Sequence, residues 1–599
     1  IPTDERVVTF ISPRSQSTNA ARELVGWEHQ VNLFKTEGIY GSFSVTPEIT
    51  KSFRPERIAQ CLFGDDSVEC KSRLTISGSQ TADRVPKRDW LADYFGLPTD
   101  FKSTVHFRPR VNNFLIDFNF FLGGSRQVYG LYFRIHAPLV YANWNLNMSE
   151  HILLSEEGSN NYPPGYFNDT GIERENLLNN FSEFISGEKA PEASNLTFQK
   201  LRYAKMSHCA QSLTNLSDIQ TAIGFNPWQA EWYHVGFNVR FAIPTGNRPQ
   251  AEFLFEPIVG NGHHWELGVG LSTHICVWQK EETAEELCLY LDANFMHLFK
   301  TDQRRSFDLK EKPNSRYMLA QKLGTPIINN LTGQQNNAQA PANNLTGQQN
   351  NAQAPADAQY QEEVTSLANL TTFDINASVT IQADLAFLFS YTKDVFTFSF
   401  GYGVWKQSCE DITIKNINKF VENRWSLKGD AHTFGFIGEE GDLPLNTSVA
   451  LSATENKATI NTGKNFSTKG SNQEMQIQAA QKNPHIDNKA PAFAGSNQRL
   501  VASLDNLSQE NQINTSIQSQ FITRDDIDVN STRTRGTAQK AFSHINRTWQ
   551  GSHFTYYVGF GAEVDFGRHP GPTPEVFEDE CINCALSCWG IWLKGGFSF

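Results

Sequence analysis

The residues with the most chemistry on offer stand near the end of the chain, where Cys581, Cys584 and Cys588 follow Glu578, Asp579 and Glu580. Thiolates at this spacing beside carboxylates suit a tetrahedral metal, but a structural zinc site needs a second ligand pair at matching spacing. A disulfide within that segment, Cys581 to Cys588, or one between subunits, is the better reading for an oxidising compartment. His263 and His264 lie beside a predicted strand, where successive side chains point apart, so they do not chelate. Asp526-x-Asp528-x-Asn530 opens like a calcium loop, but Ser531 replaces the required Gly and Thr537 the bidentate Glu. No metal and no cofactor is expected. Glu266, His274 and Asp292 could move protons, yet no Gly-x-Ser-x-Gly elbow or comparable nucleophile accompanies them. No enzyme is expected.

What must position these residues is a set of strands. Period two sends successive side chains to opposite faces. From Phe373 to Tyr391 one face carries Ile375, Ala377, Val379, Ile381, Ala383, Leu385, Phe387 and Phe389, and the other begins Asp374, Asn376, Ser378, Thr380, Gln382 and Asp384. The pattern recurs at Val235–Ile243, Trp265–Val277, Leu287–Phe295, Phe396–Val404 and Phe554–Phe566. Each stretch has a greasy edge and a wet or tiny one. A β-sandwich also alternates. Against it stand a polar edge rich in Gly with isolated charges, as around water, and aromatic residues near strand ends, where membrane girdles sit.

Bulk composition agrees. Charged residues are 19% and aromatic residues 12% of the 599, with 44 Phe, too aromatic for disorder and low in charge for a soluble surface. Mean hydropathy is −0.44, and the nearest approach to a membrane helix, Phe114 to Gly123, is short and holds Asp117. The net charge of −13 and the lack of a basic stripe exclude nucleic acid as a partner. Ile1 in place of Met fits a mature chain whose export signal has been removed.

The last strand, Leu586 to Phe599, places Trp589, Ile591, Leu593, Gly595, Phe597 and Phe599 on one face. It resembles the C-terminal strand of bacterial outer-membrane β-barrels, porins and major outer-membrane proteins in a loose sense. The resemblance implies that Trp589, Ile591, Leu593, Phe597 and Phe599 are read by the barrel-insertion machinery. It further implies outer-membrane lipid and lipopolysaccharide as surroundings, antiparallel strands, long outer loops and short inner turns, and a homo-oligomer, a trimer as the expectation.

Counting back from Phe599 gives strands at 553–567, 538–548, 446–453, 423–437, 395–406, 373–391, 285–299, 264–279 and 232–244. Earlier candidates are 38–47, 113–123, 127–142 and 197–209, and Leu216 to Gly224 reads as a short helix capped by Ser217. The fold class is an all-β transmembrane antiparallel barrel of about 14 strands, with 12 to 16 allowed. Residues 1–35 lack alternation and form a plug or periplasmic segment; 36–599 form the barrel, with low-complexity outer loops at 300–372 and 454–536. Residues 329–342 are repeated unchanged at 343–356, a duplicated loop whose composition builds no core.

The expected function is a porin-like channel passing small hydrophilic solutes by diffusion, and a major surface protein. Its wet edges carry Arg240, Glu266, Asp292, Asp384, Glu563, Asp565 and Lys594. Residues 301–322 hold Arg304, Arg305 and Arg316, expected to fold into the pore and narrow it opposite Asp292 or Asp384; a plain exposed loop is the alternative. Two other functions stay open: an adhesin or anchor with a closed lumen, and a transporter for an apolar ligand plugged by residues 1–35.

Overall fold

The computed structural model describes residues 7–32, 34, 36–64, 72–81, 83–153, 160–162, 167–168, 171–324, 359–428, 434–437, 447–450, 458–461, 501–502, 521–568, 581–583 and 585–599. Among them, twelve antiparallel strands close into a ring. They are β1 (Ile39–Ser52), β2 (Arg110–Gly124), β3 (Tyr132–Asn145), β4 (Ile219–Ala230), β5 (Tyr233–Ile243) and β6 (Glu266–Lys280), then β7 (Glu285–Ser306), β8 (Thr372–Lys393), β9 (Phe396–Gln407), β10 (Thr534–Gln550), β11 (Thr555–Gly567) and β12 (Cys588–Ser598). Each pairs with its sequence neighbours. Two contacts complete the circle: β3 to β4, with His136 opposite Gln220, and β12 to β1, with Ser598 opposite Ser42.

Closure leaves no bare edge in the ring, which is the condition for spanning hydrocarbon with strands. The alternation then sorts side chains by solvent. Phe237, Val239, Leu267, Val269, Phe398, Phe400, Val558 and Phe560 are exposed on the outside, while Arg240, Glu266, Asp292, Asp384, Glu563 and Lys594 are buried within. An exposed apolar belt around a polar interior is the pattern of a lipid-facing barrel. No described helix is long and apolar enough to cross a membrane.

Twelve strands stand where about 14 were expected, and the difference lies in three places. β9 pairs directly with β10, Gln407 opposite Gly536, so the segments 423–437 and 446–453 are not in the wall. Trp425–Leu427 belongs instead to a four-stranded sheet outside the ring, and Phe434–Ile437 pairs Thr447–Ala450 in another. Thr197–Phe198 likewise joins an outer sheet. The helix expected from Leu216 to Gly224 is a strand: Gln211–Leu216 and then β4 pair in turn with β3, separated by a break at Ser217-Asp218.

The five short connections, residues 125–131, 231–232, 281–284, 394–395 and 551–554, lie on one rim, and the six long ones on the other. The long ones build a cap. Its apolar core packs Phe63, Trp90, Phe95, Phe107, Phe181, Phe184 and Tyr317, all fully buried, with Phe95 and Phe181 edge to face at 4.8 Å. The 329–356 repeat and nearly all of 454–520 lie outside the described residues.

Many luminal glycines make room rather than line water. A Cβ on Gly561 would meet the Trp592 indole at 2.5 Å, and one on Gly401 would strike the Phe542 ring. The large ring on one strand lies across the bare backbone of its neighbour. The Gly-rich edge is therefore also a packing device.

Candidate functional site in the barrel lumen

Residues 7–31 run inside the ring from cap to turn rim. At the cap the Val8 N–H donates to the Cys61 carbonyl and the Thr9 N–H to that of Ser531, both at 2.9 Å. Lower down, Ser15 Oγ donates to Asp218 at 2.7 Å and Ser17 Oγ to the Asp218 carbonyl at 2.6 Å. Two one-turn helices follow, α1 (Ala20–Leu24) and α2 (Glu28–Val31). Asn19 caps α1, accepting from the Arg22 N–H, which satisfies one of the donors that a helix start leaves open. At the far rim, His29 Nδ1 lies 3.2 Å from Glu286, and Tyr40 donates to the Val31 carbonyl at 3.4 Å.

Sequence reading found no signal in this segment because its order comes from ionic docking. Arg22 donates to Glu48 at 2.6 Å and to Asp117 at 3.1 Å. Glu23 accepts from Arg240 at 2.7 Å and lies 3.4 Å from His136 and 3.7 Å from Arg134. Lys594 donates to the Arg22 carbonyl at 2.9 Å and stands 4.7 Å over the Trp27 ring. Glu28 accepts from Ser390 and Ser399. The main-chain N–H of Ala20 donates to Asp384 at 2.7 Å, and Arg14 reaches Asp565 at 3.1 Å.

The seven residues expected on the wet edges are all inward and buried. Arg240, Asp384, Asp565 and Lys594 contact the plug directly, as does Glu563, which binds Asn19 and Lys540. Asp292 accepts from Ser272 at 2.8 Å and faces Arg134; Glu266 accepts from Asn261. They face protein rather than a water column. Sequence reading missed Glu48, Arg134, His136 and Lys540 on the wall and Arg22 and Glu23 on the plug. The visible signal was Asp117, the charge interrupting the apolar run 114–123.

The arginines expected to narrow the pore stand above it. β7 and β8 keep pairing up to Ser306 opposite Thr372, lifting Arg304 and Arg305 onto an extension whose third strand is Glu410–Ile414. Arg304 meets Asp374, both over a third exposed. Arg305 grips Glu410 with two bonds of 2.8 and 2.9 Å and stacks 3.8 Å from the Phe10 ring centroid. Burial alone would raise the Glu410 carboxyl, but the Arg305 guanidinium outweighs it and holds the group below the usual carboxylate range. Arg316 pairs with Asp308 at 2.6 Å, where burial wins and raises Asp308. None of the three faces Asp292 or Asp384.

Cys581 bonds Cys409, and Cys276 bonds Cys288. The expected Cys581–Cys588 bridge is thus replaced by one that ties the segment after β9 to the segment before β12. Cys588 is unpaired and Cys584 lies outside the described residues. The group Cys276, Glu286 and Cys288 has both sulfurs engaged in the bridge, so it offers no thiolate pair to a metal. Asp526 and Asp528 cap local turns, accepting from the N–H groups of Thr523 and Asn530. On the last strand Trp589, Ile591, Leu593 and Phe599 are exposed outward, and Phe597 packs on Phe43 and Phe554.

Beside the plug, toward the cap, lies a cavity of about 100 Å³ lined by Arg14, Glu48, Trp144, Trp405 and Asp565 among others.

No protein-family model matches the chain, and no curated protein matches it in sequence. Among solved structures it is similar to an outer membrane channel from Pseudomonas putida F1, at 8% identity and TM-score 0.30, over 95% of this chain and 98% of that one. It is also similar to a Pseudomonas aeruginosa FadL homologue, at 7% and 0.27 over 99% of both chains. A third is a mutant of the TodX monoaromatic hydrocarbon channel, at 7% and 0.27 over 98% of this chain and 95% of that one. Superpositions this loose assign this chain neither ligand nor mechanism.

Proposed function

We propose that the chain is an outer-membrane transporter whose lumen is closed at rest by its own residues 7–31, the plugged alternative to an open porin. The observation that carries this reading is the docking of Arg22 and Glu23 onto Glu48, Asp117, Arg240 and His136. A segment held in the channel by buried ion pairs does not leave room for free diffusion of solutes. Outer-membrane placement is supported by the exposed apolar belt and by the resemblance of the last strand. The cavity beside the plug presents Trp144, Trp405, Val111, Leu115 and Leu586, which favours a solute with an apolar body over an ion.

Planar-bilayer conductance of the full chain and of a variant lacking residues 7–31 tests the proposal. The full chain is expected to stay closed apart from rare openings, and the deleted form to conduct steadily. A full chain that conducts like an open pore returns the porin reading. The apolar core of the cap, the largest in the molecule among described residues, favours the anchor as second reading; a folded deletion variant that stays silent would establish it.

A further inference from the structure

The cavity beside the plug holds an unusual combination. Trp144 stands on β3 and Trp405 on β9, six strand steps apart in a ring of twelve, so the two indoles occupy opposite walls of the lumen. Both line the cavity, are 1% and 3% exposed, and have an indole N–H with no hydrogen-bond partner. Three acceptors in the same lining are equally unpartnered: Glu48 Oε1, Asp565 Oδ1 and Asn113 Oδ1. Glu48 and Asp565 are 1% and 4% exposed. Buried polar atoms are ordinarily paired, and a group of orphans around one space marks a missing partner.

The chemistry of that partner is narrow. Each carboxylate at the site already has a cation: Glu48 has Arg22 at 2.6 Å, Asp565 has Arg14 at 3.1 Å and Glu563 has Lys540 at 2.7 Å. A charged ligand would meet a like charge beside each opposite one. What remains free is two donors and three acceptors, and a hydroxyl both accepts from an N–H and donates to a carboxylate or an amide oxygen. Hydrocarbon comes from the indole faces, Val111 and Leu115, and side chains such as Thr18, Thr50 and Ser52 complete the lining. We infer that this cavity binds a small neutral alcohol, its hydrocarbon body between Trp144 and Trp405 and its hydroxyl on their N–H groups and on Glu48 or Asp565. The inference deepens the transporter reading and rests on it for its meaning.

Saturation-transfer NMR on the full chain in detergent, with empty micelles as blank, separates the outcomes using benzyl alcohol, toluene and glycerol. Benzyl alcohol is expected to bind above the blank, toluene about three- to tenfold more weakly, the weight of a neutral hydrogen bond, and glycerol not at all. Trp144→Phe and Trp405→Phe keep a ring and delete the donor; each should weaken benzyl alcohol by a similar factor and leave toluene unchanged. Equal binding of toluene and benzyl alcohol overturns the inference in favour of a hydrocarbon site. Binding of glycerol alone makes the site a polyol site, and no binding leaves it filled by water. If a variant fails to fold, the benzyl alcohol to toluene ratio on the unaltered chain still decides. The binding assay needs no transport: a silent plug deletion with intact alcohol binding sinks the transporter reading alone, and a conducting deletion without alcohol binding sinks this one alone.

Discussion

Arg240 on the barrel wall and Glu23 in the plug meet at 2.7 Å, with both side chains at least 95% buried. The pair joins the luminal segment to the strand wall. Two buried charges gain little over a well-packed apolar pair, but breaking one by removing a partner is costly. The docked state is therefore held by interactions that penalise partial loosening.

Glu23→Ala leaves Arg240 without its carboxylate and removes a neighbour of Arg134 and His136. The expected cost is about 3–5 kcal/mol of plug docking. Bilayer recordings should show a large rise in open time, with the strands intact by circular dichroism. Unchanged closure would mean the plug is held by something other than these charges.

Arg304 and Arg305 are sequence neighbours with different expected weights. Arg305→Ala removes a buried two-bond grip on Glu410 and a ring contact with Phe10, and should lower cap stability by about 3–5 kcal/mol. Arg304→Ala, at a half-exposed pair, should cost about 0–1 kcal/mol. Thermal unfolding of the two variants checks this, and neither change should alter ion preference.

Acid should loosen the same corner. Glu410 is held below the usual carboxylate range in the folded chain, so its contribution is complete above the unfolded pKa of roughly 4.3. It is lost as pH falls through the lower folded value. Glu410→Gln should be less stable near neutrality and show a flatter acid limb in unfolding experiments. A parallel acid limb would remove Glu410 from the account.

Reduction of Cys409–Cys581 reopens a link across 172 residues of chain. Loop-closure arguments put its weight at about 2–5 kcal/mol. Cys581→Ser should give the same loss as reductant, read as protease sensitivity of the cap with the barrel protected. If reductant has no effect on protease sensitivity, that bridge does not brace the cap.

Eight of the ten strands placed from 232 onward were legible because period two is a local signal wherever one face meets lipid and the other does not. The two that failed, at 423–437 and 446–453, alternate too, but they answer to outer sheets rather than to the ring. Ser217 misled for a related reason. A hydroxyl beside an apolar run reads as a helix cap, whereas here it sits at a break that receives Ser15 and Ser17. Seven wall residues of the site, among them Arg240, Asp384 and Lys594, were legible as inward-facing, whereas Glu48, Arg134, His136 and Lys540 were not. Their partners were not, because Arg22 and Glu23 sit in a one-turn helix whose order comes from contacts 26 to 572 residues away. The bridge from Cys409 to Cys581 was hidden in the same way, since spacing reports only nearby pairings.

The plug is fastened at both ends, to the cap at Val8 and Thr9 and to β1 through the chain itself. It cannot drop out like a cork. In the transporter proposed above, passage would come from slack gained between two fixed points, by melting the one-turn helices or swinging them to the wall. Such a gate would reset itself when its load departs, because the closing piece never loses its address.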